Sequence, residues 1–315
     1  MTAPSPLPDL KVILAAPRGF CAGVRRAIDA VHDALAVHGA PVYVRRAIVH
    51  NLEVVRELES NGAIFVEELD EVPTGAVVLF SAHGVDPRVA RNARERGLIA
   101  FDAVCPLVAK VHREVERHQQ SGRRVVLIGH IDHPEIIGTM GHVRPGNAFV
   151  VNSVREVEEL PIPAQEPVGV AIQTTYAVDE AEAIVQSLRT RFADLAEPAS
   201  SDICYATSNR QAAVRALAPL VDAVIVAGEN FSSNATRLAE VAASVCPSVQ
   251  LVPGSAHIDW AKLPETGAIG ITAAASTPEM VVKSIISALG SRYSLSVSEL
   301  ETMRETTVFK PLAIA

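Results

Sequence analysis

Short aliphatic runs alternate with helical patterns along the whole chain, and this alternation restricts the possible folds more than any other feature. The runs are KVILAAP, PVYVRRAIV, AIFVEE, AVVLFSA, RVVLIG, FVVNS, VGVAIQ, AVIVAG, VQLVPG and AIGITA. Between them, segments such as LVAKVHREVERHQQ and NATRLAEVAASV carry apolar residues at helical intervals. Hydrophobic residues make up 49% of the chain but aromatic residues only 4%, which suits the aliphatic core of parallel sheets. The sequence therefore predicts an α/β fold of parallel strands covered by helices.

Polar loops follow the aliphatic runs at repeated positions and divide the chain into three similar thirds. The loops contain, in chain order, His50, His83, His133, the run Gln173-Thr174-Thr175, the run Ser232-Ser233-Asn234 and Ser276. In open parallel sheets, ligands bind just beyond the carboxyl ends of the strands. We therefore expect the six loops to line one polar pocket. The matching domains are residues 22–104, 105–203 and 204–315, and a strand within residues 10–21 completes the third domain.

Charge and hydropathy exclude several classes of protein. The net charge is −8 and the sequence has no long Lys/Arg cluster, so a nucleic-acid partner is not expected. No apolar stretch reaches the roughly 18 residues that span a bilayer, so no membrane association is expected either. The segment MTAPSPLPDL lacks the basic and apolar regions of a secretory signal and predicts a frayed, Pro-rich leader. These features are typical of a cytoplasmic protein.

Four cysteines, Cys21, Cys105, Cys204 and Cys246, stand far apart in the sequence. No pair has C-x-x-C spacing, which argues against a zinc knuckle, and scattered cysteines do not form a disulfide framework. The first three fall one in each third, as a threefold arrangement around one metal centre would require. The alternative is a duplicated fold in which the cysteines were left by chance. Cys246, in SVCPSV, is expected to be a buried small hydrophobe.

Cys21 lies in PRGFCAGV, where a strand is expected to turn into a helix. A helix N-terminus lowers the pKa of a thiol and favours the thiolate that binds metal, and glycines on both sides allow close backbone approach. Three thiolates cannot complete a four-cysteine site. A [4Fe–4S] cluster held by three would leave one iron open, and an open metal position is a place for substrate. The cysteine pattern therefore favours an enzyme over a structural cluster protein.

The polar loops contain groups suited to binding phosphate and transferring protons. His50, His83 and His133 are placed to donate hydrogen bonds to phosphate oxygens. The run Ser232-Ser233-Asn234 opens a helix, where hydroxyl and amide groups cap the helix and phosphate binds. Glu135, the only carboxylate expected in the pocket, delivers protons if burial raises its pKa, and the alternative is a solvated glutamate.

Together these segments resemble a known family. PRGFCAGV, YVRRAIVHN, FSAHGV, CPLVAKVH, HPEIIGTMG, QTT, DICYATSNRQ and SSNATRLAE resemble, in order, the motifs of the 4-hydroxy-3-methylbut-2-enyl diphosphate reductases, the terminal enzymes of the non-mevalonate isoprenoid pathway. The resemblance runs from about residue 11 to near the C-terminus. It implies three similar α/β domains in a pseudo-threefold trefoil around a central [4Fe–4S] cluster.

The resemblance also implies roles for individual residues. Cys21, Cys105 and Cys204 would be the cluster ligands, with the fourth iron open to the substrate hydroxyl. Thr174, with Thr175 beside it, would hold that hydroxyl, and Glu135 and His133 would act in catalysis. The diphosphate would be bound by His50, His83, His133, Ser232, Ser233, Asn234 and Ser276. Two electrons from a ferredoxin or flavodoxin, with two protons, would remove water from the allylic diphosphate and give isopentenyl and dimethylallyl diphosphates.

Two other functions compete with the reductase. A divergent, non-catalytic iron–sulfur protein that senses iron or oxygen would need no diphosphate site, so the His, Ser and Asn residues argue against it. A dinucleotide-dependent dehydrogenase is disfavoured because the G-x-G-x-x-G fingerprint and its acidic ribose ligand are absent.

Overall fold

The computed structural model describes residues 7–315 and contains three sheets whose strand pairs are all parallel. The strands are β1 Asp9–Ala16, β2 Val42–Arg45, β3 Ala63–Val66, β4 Val77–Phe80, β5 Ile99–Asp102, β6 Arg124–Ile128, β7 Ala148–Val151, β8 Val168–Ile172, β9 Leu195–Ala196, β10 Ala223–Ala227, β11 Val249–Val252, β12 Gly267–Ala273 and β13 Ser294–Glu301. The helices are α1 Ala22–His38, α2 Leu52–Ser60, α3 Pro87–Glu95, α4 Pro106–Gln120, α5 Pro134–Gly141, α6 Val154–Glu159, α7 Val178–Arg191, α8 Tyr205–Leu217, α9 Ser233–Ala243 and α10 Glu279–Gly290. The predicted α/β fold with parallel sheets is confirmed.

The three sheets share one plan. Two have four strands, in the orders β3-β2-β4-β5 and β7-β6-β8-β9, and the third has five, in the order β11-β10-β12-β1-β13. The strands β4, β8 and β10 (VVLF, VGVAI and AVIVA) are buried at every position. Strands covered on both faces have no solvent side, which is why they read as continuous aliphatic runs rather than as alternating patterns.

Contacts divide the chain into two compact units. The first consists of Met1–Cys21 and Tyr205–Thr307, and it contains the five-stranded sheet. The second consists of Ala22–Cys204 and Val308–Ala315, and it contains both four-stranded sheets. In the first unit, β1 lies between β12 and β13, so the N-terminal strand is part of the C-terminal sheet. The division into three domains at residues 22, 105 and 204 stays a prediction.

Three strands were not among the aliphatic runs, and each lies at the edge of its sheet. They are β5, β9 and β13. β13 (SLSVSELE) is exposed at most positions, and β5 (IAFD) has no fully buried residue. An edge strand is covered less than a central one, so its sequence need not be aliphatic, and the hydrophobic pattern that identifies central strands is weak there.

Two local expectations were wrong. The run PVYVRRAIV predicted a strand that continues to Val49, but β2 ends at Arg45 because Arg46 adopts the left-handed region with φ 59°. The predicted N-terminal leader is shorter than expected, since Asp9 and Leu10 already lie in β1. The remainder of that prediction, over residues 1–6, lies outside the described residues. Among residues 7–315, no helix combines the length and hydropathy needed to cross a bilayer.

Candidate functional site

Three cysteines occupy equivalent positions relative to a strand. The backbone N–H of Cys105 donates to the carbonyl oxygen of Ala82 at 3.0 Å, and that of Cys204 donates to Thr174 at 3.0 Å. The N–H of Cys21 donates to Ala275 at 3.3 Å. Each acceptor is the second residue after the end of its strand, β4, β8 or β12. The structure therefore joins each cysteine to one of the loops that the sequence marked as polar.

Each of these cysteines also directly precedes a helix. Cys21 precedes α1, Cys105 is the N-cap residue of α4, and Cys204 precedes α8. All three are half-buried. The positive end of a helix dipole favours the thiolate over the thiol. The structure thus gives the three cysteines a shared local environment that suits thiolate ligands.

Cys246 differs from the other three cysteines in its place relative to a helix and in its burial. It follows α9 rather than preceding a helix, and it is 2% exposed. Its thiol lies near the carbonyl oxygens of Asp222 and Ser248, at 3.7 and 3.5 Å. It packs in an aliphatic cluster with Val224 and Val241. The prediction that Cys246 is a buried small hydrophobe is confirmed.

The three histidines of the sequence analysis come together in the second unit. The ring centroids of His50 and His83 are 4.2 Å apart. The ring centroid of His133 lies 5.6 Å from that of His50 and 5.8 Å from that of His83. His83 follows β4, His133 is the N-cap residue of α5, and His50 lies in the loop before α2. Three separate elements therefore supply one group of imidazoles, which we call the histidine cluster.

Burial makes the histidine cluster neutral at physiological pH. It lowers the pKa of His50 to about 4. It lowers the pKa of His133 to about 3, with a further contribution from the charges of His50 and His130. The pKa of His83 is also held well below its usual value, first by burial and then by its two histidine neighbours. The imidazoles therefore act as neutral hydrogen-bond donors unless an anion binds and favours their protonated forms.

The tautomer of His133 is set by its own helix. Its Nδ1 accepts a hydrogen bond from the backbone N–H of Glu135 at 3.2 Å, so the ring proton lies on Nε2. That Nε2 is buried and has no hydrogen-bond partner among residues 7–315. A buried donor without a partner is costly, and a bound acceptor removes the cost. His133 is thus prepared to donate to an acceptor such as a phosphate oxygen.

Glu135 and Thr174 form a buried pair. Glu135 is 1% exposed and Thr174 is 5% exposed. The carboxylate accepts from the backbone N–H of Thr174 at 2.6 Å and from its hydroxyl at 2.7 Å. Burial raises the pKa of Glu135 to about 7, although the two hydrogen bonds from Thr174 act in the opposite direction. The alternative of a solvated glutamate is therefore wrong, and burial raises this pKa as a proton-donating role requires.

A second carboxylate, which the sequence analysis missed, acts on Glu135. The negative charge of Asp202 contributes to the raised pKa of Glu135, so Glu135 is not the only acid in this region. The Asp202 carboxylate is fully buried, lies 3.1 Å from Lys110 Nζ and accepts from the backbone N–H of Ile172 at 3.0 Å. Its sequence signal is the segment SDIC, in which an acidic residue stands two positions before a predicted cysteine ligand.

Thr175 lies beside the pair but bonds elsewhere. Its hydroxyl accepts from the side-chain amide of Gln173 at 2.8 Å, and the amide oxygen of Gln173 accepts from the backbone N–H of His130 at 2.9 Å. Gln173 is 1% exposed. Gln173 and Thr175 therefore connect the loop after β8 to the loop after β6, which leads into α5.

In the first unit, the predicted hydroxyl and amide groups line the start of α9. Ser232 is the N-cap residue, and its Oγ lies 3.4 Å from the backbone N–H of Ala235 and 3.3 Å from Ser276 Oγ. Asn234 accepts from the backbone N–H of Ala275 at 2.8 Å and donates to Thr207 at 3.2 Å. Ser232, Asn234 and Ser276 are buried, and Ser233 is half-buried. Asn234 thus also fixes the loop that carries Ser276.

The three cysteines provide the donor atoms that an iron–sulfur group requires. Among residues 7–315, no group of three or more His, Cys, Asp or Glu side chains is arranged to hold a metal ion. An iron–sulfur cluster makes a different demand, because its ligands are thiolates bound to several irons rather than to one ion. Half-buried cysteines at helix N-termini supply that chemistry. The residues present therefore fit a cluster better than a single-ion site.

Comparisons with known proteins agree with these features. The model of the family described as LytB protein matches residues 12–290. The 4-hydroxy-3-methylbut-2-enyl diphosphate reductase of Methylocella silvestris is 48% identical over 307 residues, which cover 97% of this chain and 96% of that protein. The reductase of the same name from Paracoccus denitrificans is 49% identical and covers 96% of each chain.

Two solved structures are similar as well. The E-1-hydroxy-2-methyl-but-2-enyl-4-diphosphate reductase from Plasmodium falciparum has a TM-score of 0.90 and 35% identity, and covers 98% of this chain and 96% of that chain. A second structure, of (E)-4-hydroxy-3-methyl-but-2-enyl diphosphate reductase, has a TM-score of 0.65 and 31% identity, and covers 89% of this chain and 99% of that chain. A family model that spans most of the sequence, and relatives that are about half identical along nearly all of it, show that this chain belongs to the LytB protein family.

Proposed function

We propose that the protein is an oxidoreductase that converts (E)-4-hydroxy-3-methylbut-2-enyl diphosphate to isopentenyl and dimethylallyl diphosphates with the help of an iron–sulfur cluster. The relatives that match nearly the whole chain are named for this reduction. The structural observation that carries the proposal is the buried Glu135–Thr174 pair, which supplies a protonated acid and an adjacent hydroxyl at neutral pH.

The reaction needs protons as well as electrons. The bond between the allylic carbon and its hydroxyl breaks, and two electrons and two protons are consumed. One proton leaves with the hydroxyl as water, and the other ends on a carbon of the allyl group. Hydroxide is a poor leaving group, so an acid near the hydroxyl is required.

Glu135 is suited to be that acid. A pKa of about 7 leaves a large share of the carboxyl protonated near neutral pH, whereas an ordinary glutamate would be ionised. The protonated carboxyl can donate to Thr174 Oγ1, which frees the threonine hydroxyl to donate to the substrate oxygen. Thr174 thus orients the substrate hydroxyl, and Glu135 provides the proton. Burial of both groups excludes bulk water from this exchange.

The diphosphate is assigned to two sets of residues. The histidine cluster offers three neutral imidazoles. The Nε2–H of His133, which has no partner among residues 7–315, supports its role as a donor to phosphate. Ser232, Ser233, Asn234 and Ser276 are assigned from the sequence resemblance, supported by their place at the N-terminus of α9. Helix N-termini favour phosphate through their free N–H groups and dipole.

Cys21, Cys105 and Cys204 are the proposed ligands of a [4Fe–4S] cluster whose fourth iron lacks a cysteine. Their repeated hydrogen bonds to strand-end loops and their places before helices support this choice. When bound, the cluster supplies the electrons for the reduction. A small electron carrier, a ferredoxin or flavodoxin, is the proposed donor to it.

An anaerobic assay tests the function directly. The purified holoprotein is mixed with the allylic diphosphate and reduced methyl viologen, and both viologen oxidation and C5 diphosphate products are followed. We expect both products to form with consumption of two electrons per substrate. A protein that holds a cluster but forms no product would instead be the non-catalytic sensor, and this outcome would contradict the proposal.

A further inference from the structure

The turn that carries Cys21 is fixed by its backbone to the first unit. Gly19 has φ +67°, and a Cβ placed there would lie 3.2 Å from the carbonyl oxygen of Thr277, so only glycine fits without strain. The N–H of Gly19 donates to Ala273 at 3.1 Å, and that of Cys21 donates to Ala275 at 3.3 Å. These bonds position one side of the turn.

A buried arginine holds the other side. Arg210 is 1% exposed and lies on α8. Its Nε and Nη2 both donate to the carbonyl oxygen of Gly19, at 3.1 and 2.6 Å, and its Nη1 donates to Ala206 at 2.8 Å. A guanidinium presents its donors in a rigid, planar fork. Arg210 therefore fixes the carbonyl group two residues before Cys21.

The charge of Arg210 is balanced by the C-terminal segment. Glu305 accepts from Nη1 at 2.9 Å and lies 3.3 Å from Nη2, and Asn209 donates to the same carboxylate at 3.1 Å. Nearby, Thr302 donates to the carbonyl oxygen of Ala16 through its N–H at 3.0 Å and its hydroxyl at 2.9 Å. We call Thr302–Glu305 the C-terminal strap. It follows β13 and lies beyond residue 290, where the match to the family model ends.

The strap differs from an ordinary surface ion pair. A second contact reaches the same turn from β13, where Arg18 pairs with Glu299 at 2.6 Å, but that glutamate is 49% exposed. Glu305 is only 16% exposed and Arg210 is 1% exposed. Removing one partner of a buried pair leaves an uncompensated charge, whereas removing an exposed partner costs little. Loss of Glu305 would therefore leave the charge of Arg210 unbalanced next to the Gly19 carbonyl.

We propose that Arg210 and Glu305 are positioning residues, through which the C-terminal strap sets the place of the Cys21 turn and thereby the retention of the iron–sulfur cluster. The inference rests on the proposed function, because it takes Cys21 to be a cluster ligand. Neither residue is among those assigned to the substrate or to the cluster.

The test compares the rate at which the unmodified holoprotein and three variants lose their cluster to an added iron chelator under anaerobic conditions. Glu305→Gln removes the charge but keeps the shape, and Arg210→Lys keeps the charge but removes the fork. Glu159→Gln is the matched control, since Arg155 and Glu159 form an exposed pair at 3.0 Å with side chains 85% and 60% exposed. Charge-assisted hydrogen bonds contribute enough that we expect the first two variants to lose cluster absorbance about tenfold faster. Glu159→Gln should match the unmodified protein.

Two further measurements separate positioning from general stability. The EPR spectrum of the reduced cluster should change in Glu305→Gln and Arg210→Lys, and cluster loss should be faster in both variants at temperatures at which their cluster-free forms remain folded. An unchanged rate of cluster loss and an unchanged spectrum would overturn the proposal, and so would faster loss that occurs only at temperatures at which the cluster-free variants unfold. If the unmodified protein bound no cluster at all, the proposed function itself would fail before any variant was compared.

Discussion

The backbone N–H of Cys204 donates to the carbonyl oxygen of Thr174 at 3.0 Å, and the backbone N–H of the same threonine donates to the Glu135 carboxylate. One backbone hydrogen bond therefore links Cys204, a proposed cluster ligand, to the Glu135–Thr174 pair that is proposed to supply the proton. The same relation recurs between Cys105 and Ala82, which precedes His83, and between Cys21 and Ala275, which precedes Ser276. In each case the cysteine is fixed next to a residue assigned to the substrate.

Replacing cysteines one at a time should separate ligands from packing residues. We expect Cys21→Ser, Cys105→Ser and Cys204→Ser to lose most of the brown chromophore and of the bound iron and sulfide, because serine is a poor ligand for iron in such clusters. Cys246→Ser is the control, since Cys246 packs in an aliphatic cluster. Iron, sulfide and visible absorbance are measured anaerobically. Retention of a full cluster in Cys105→Ser would contradict the ligand assignment.

Glu135→Gln should keep the cluster and the substrate but lose turnover. Glutamine keeps the shape of the side chain and cannot deliver a proton, and general acid catalysis is typically worth about 10²- to 10⁴-fold. We expect kcat to fall by roughly that factor, while the affinity for inorganic diphosphate stays nearly unchanged. Steady-state kinetics and a binding titration measure the two effects. Near-normal turnover with an intact cluster would show that Glu135 has only a structural role.

The pH dependence of turnover should report the same group. Because the pKa of Glu135 is raised to about 7, its acidic form is abundant below that pH and is lost as pH rises through it. We therefore expect kcat, measured at saturating substrate, to decline above about pH 7, and we expect this alkaline limb to be absent in Glu135→Gln. An identical limb in the variant would assign it to another group.

Diphosphate binding should strengthen as pH falls. In the free protein, burial holds the pKa of His50 at about 4 and that of His133 at about 3, so both rings are neutral at pH 7. A bound anion favours the protonated rings and raises these pKa values, so binding takes up protons. Calorimetry with inorganic diphosphate in buffers of different ionisation enthalpy measures that uptake. We expect tighter binding at pH 6 than at pH 8, and His133→Phe should reduce the difference. Binding that does not depend on pH would rule out a charged form of the histidine cluster.

Gly84→Ala should destabilise the protein more than a matched glycine substitution. Gly84 has φ +75°, and a Cβ there would lie 2.5 Å from Cε1 of the buried His112. Gly146 has φ +79°, and apart from its chain neighbours no atom of residues 7–315 would lie within 4 Å of a Cβ there. Gly146→Ala therefore carries the backbone strain alone, about 1–2 kcal/mol. Overpacking adds about 1–3 kcal/mol, and we expect Gly84→Ala to exceed the control by that amount. Chemical denaturation of the cluster-free proteins measures both, and equal losses would show that His112 moves aside freely.

The sequence by itself determined the central strands and the polar loops after them. Aliphatic runs such as AVVLF and VGVAI predict β4 and β8 because central parallel strands are buried on both faces. The same regularity placed His83, His133 and Thr174 at strand ends. It failed for β13, whose exposed edge position removes the hydrophobic pattern, and for β2, which ends at Arg45 because Arg46 adopts a left-handed conformation.

Only the tertiary structure decided the chemical state of the site. The pKa of Glu135 depends on burial and on Asp202, which is 67 positions away in the sequence and contributes through space. The bond from Arg210 to Gly19, and its balance by Glu305, likewise join residues that are distant along the chain. Periodicity and motif spacing describe which residues share an element, whereas desolvation and charge act between residues that folding brings together. The sequence could therefore predict the residue types at the site but not their protonation states or the contacts that hold them.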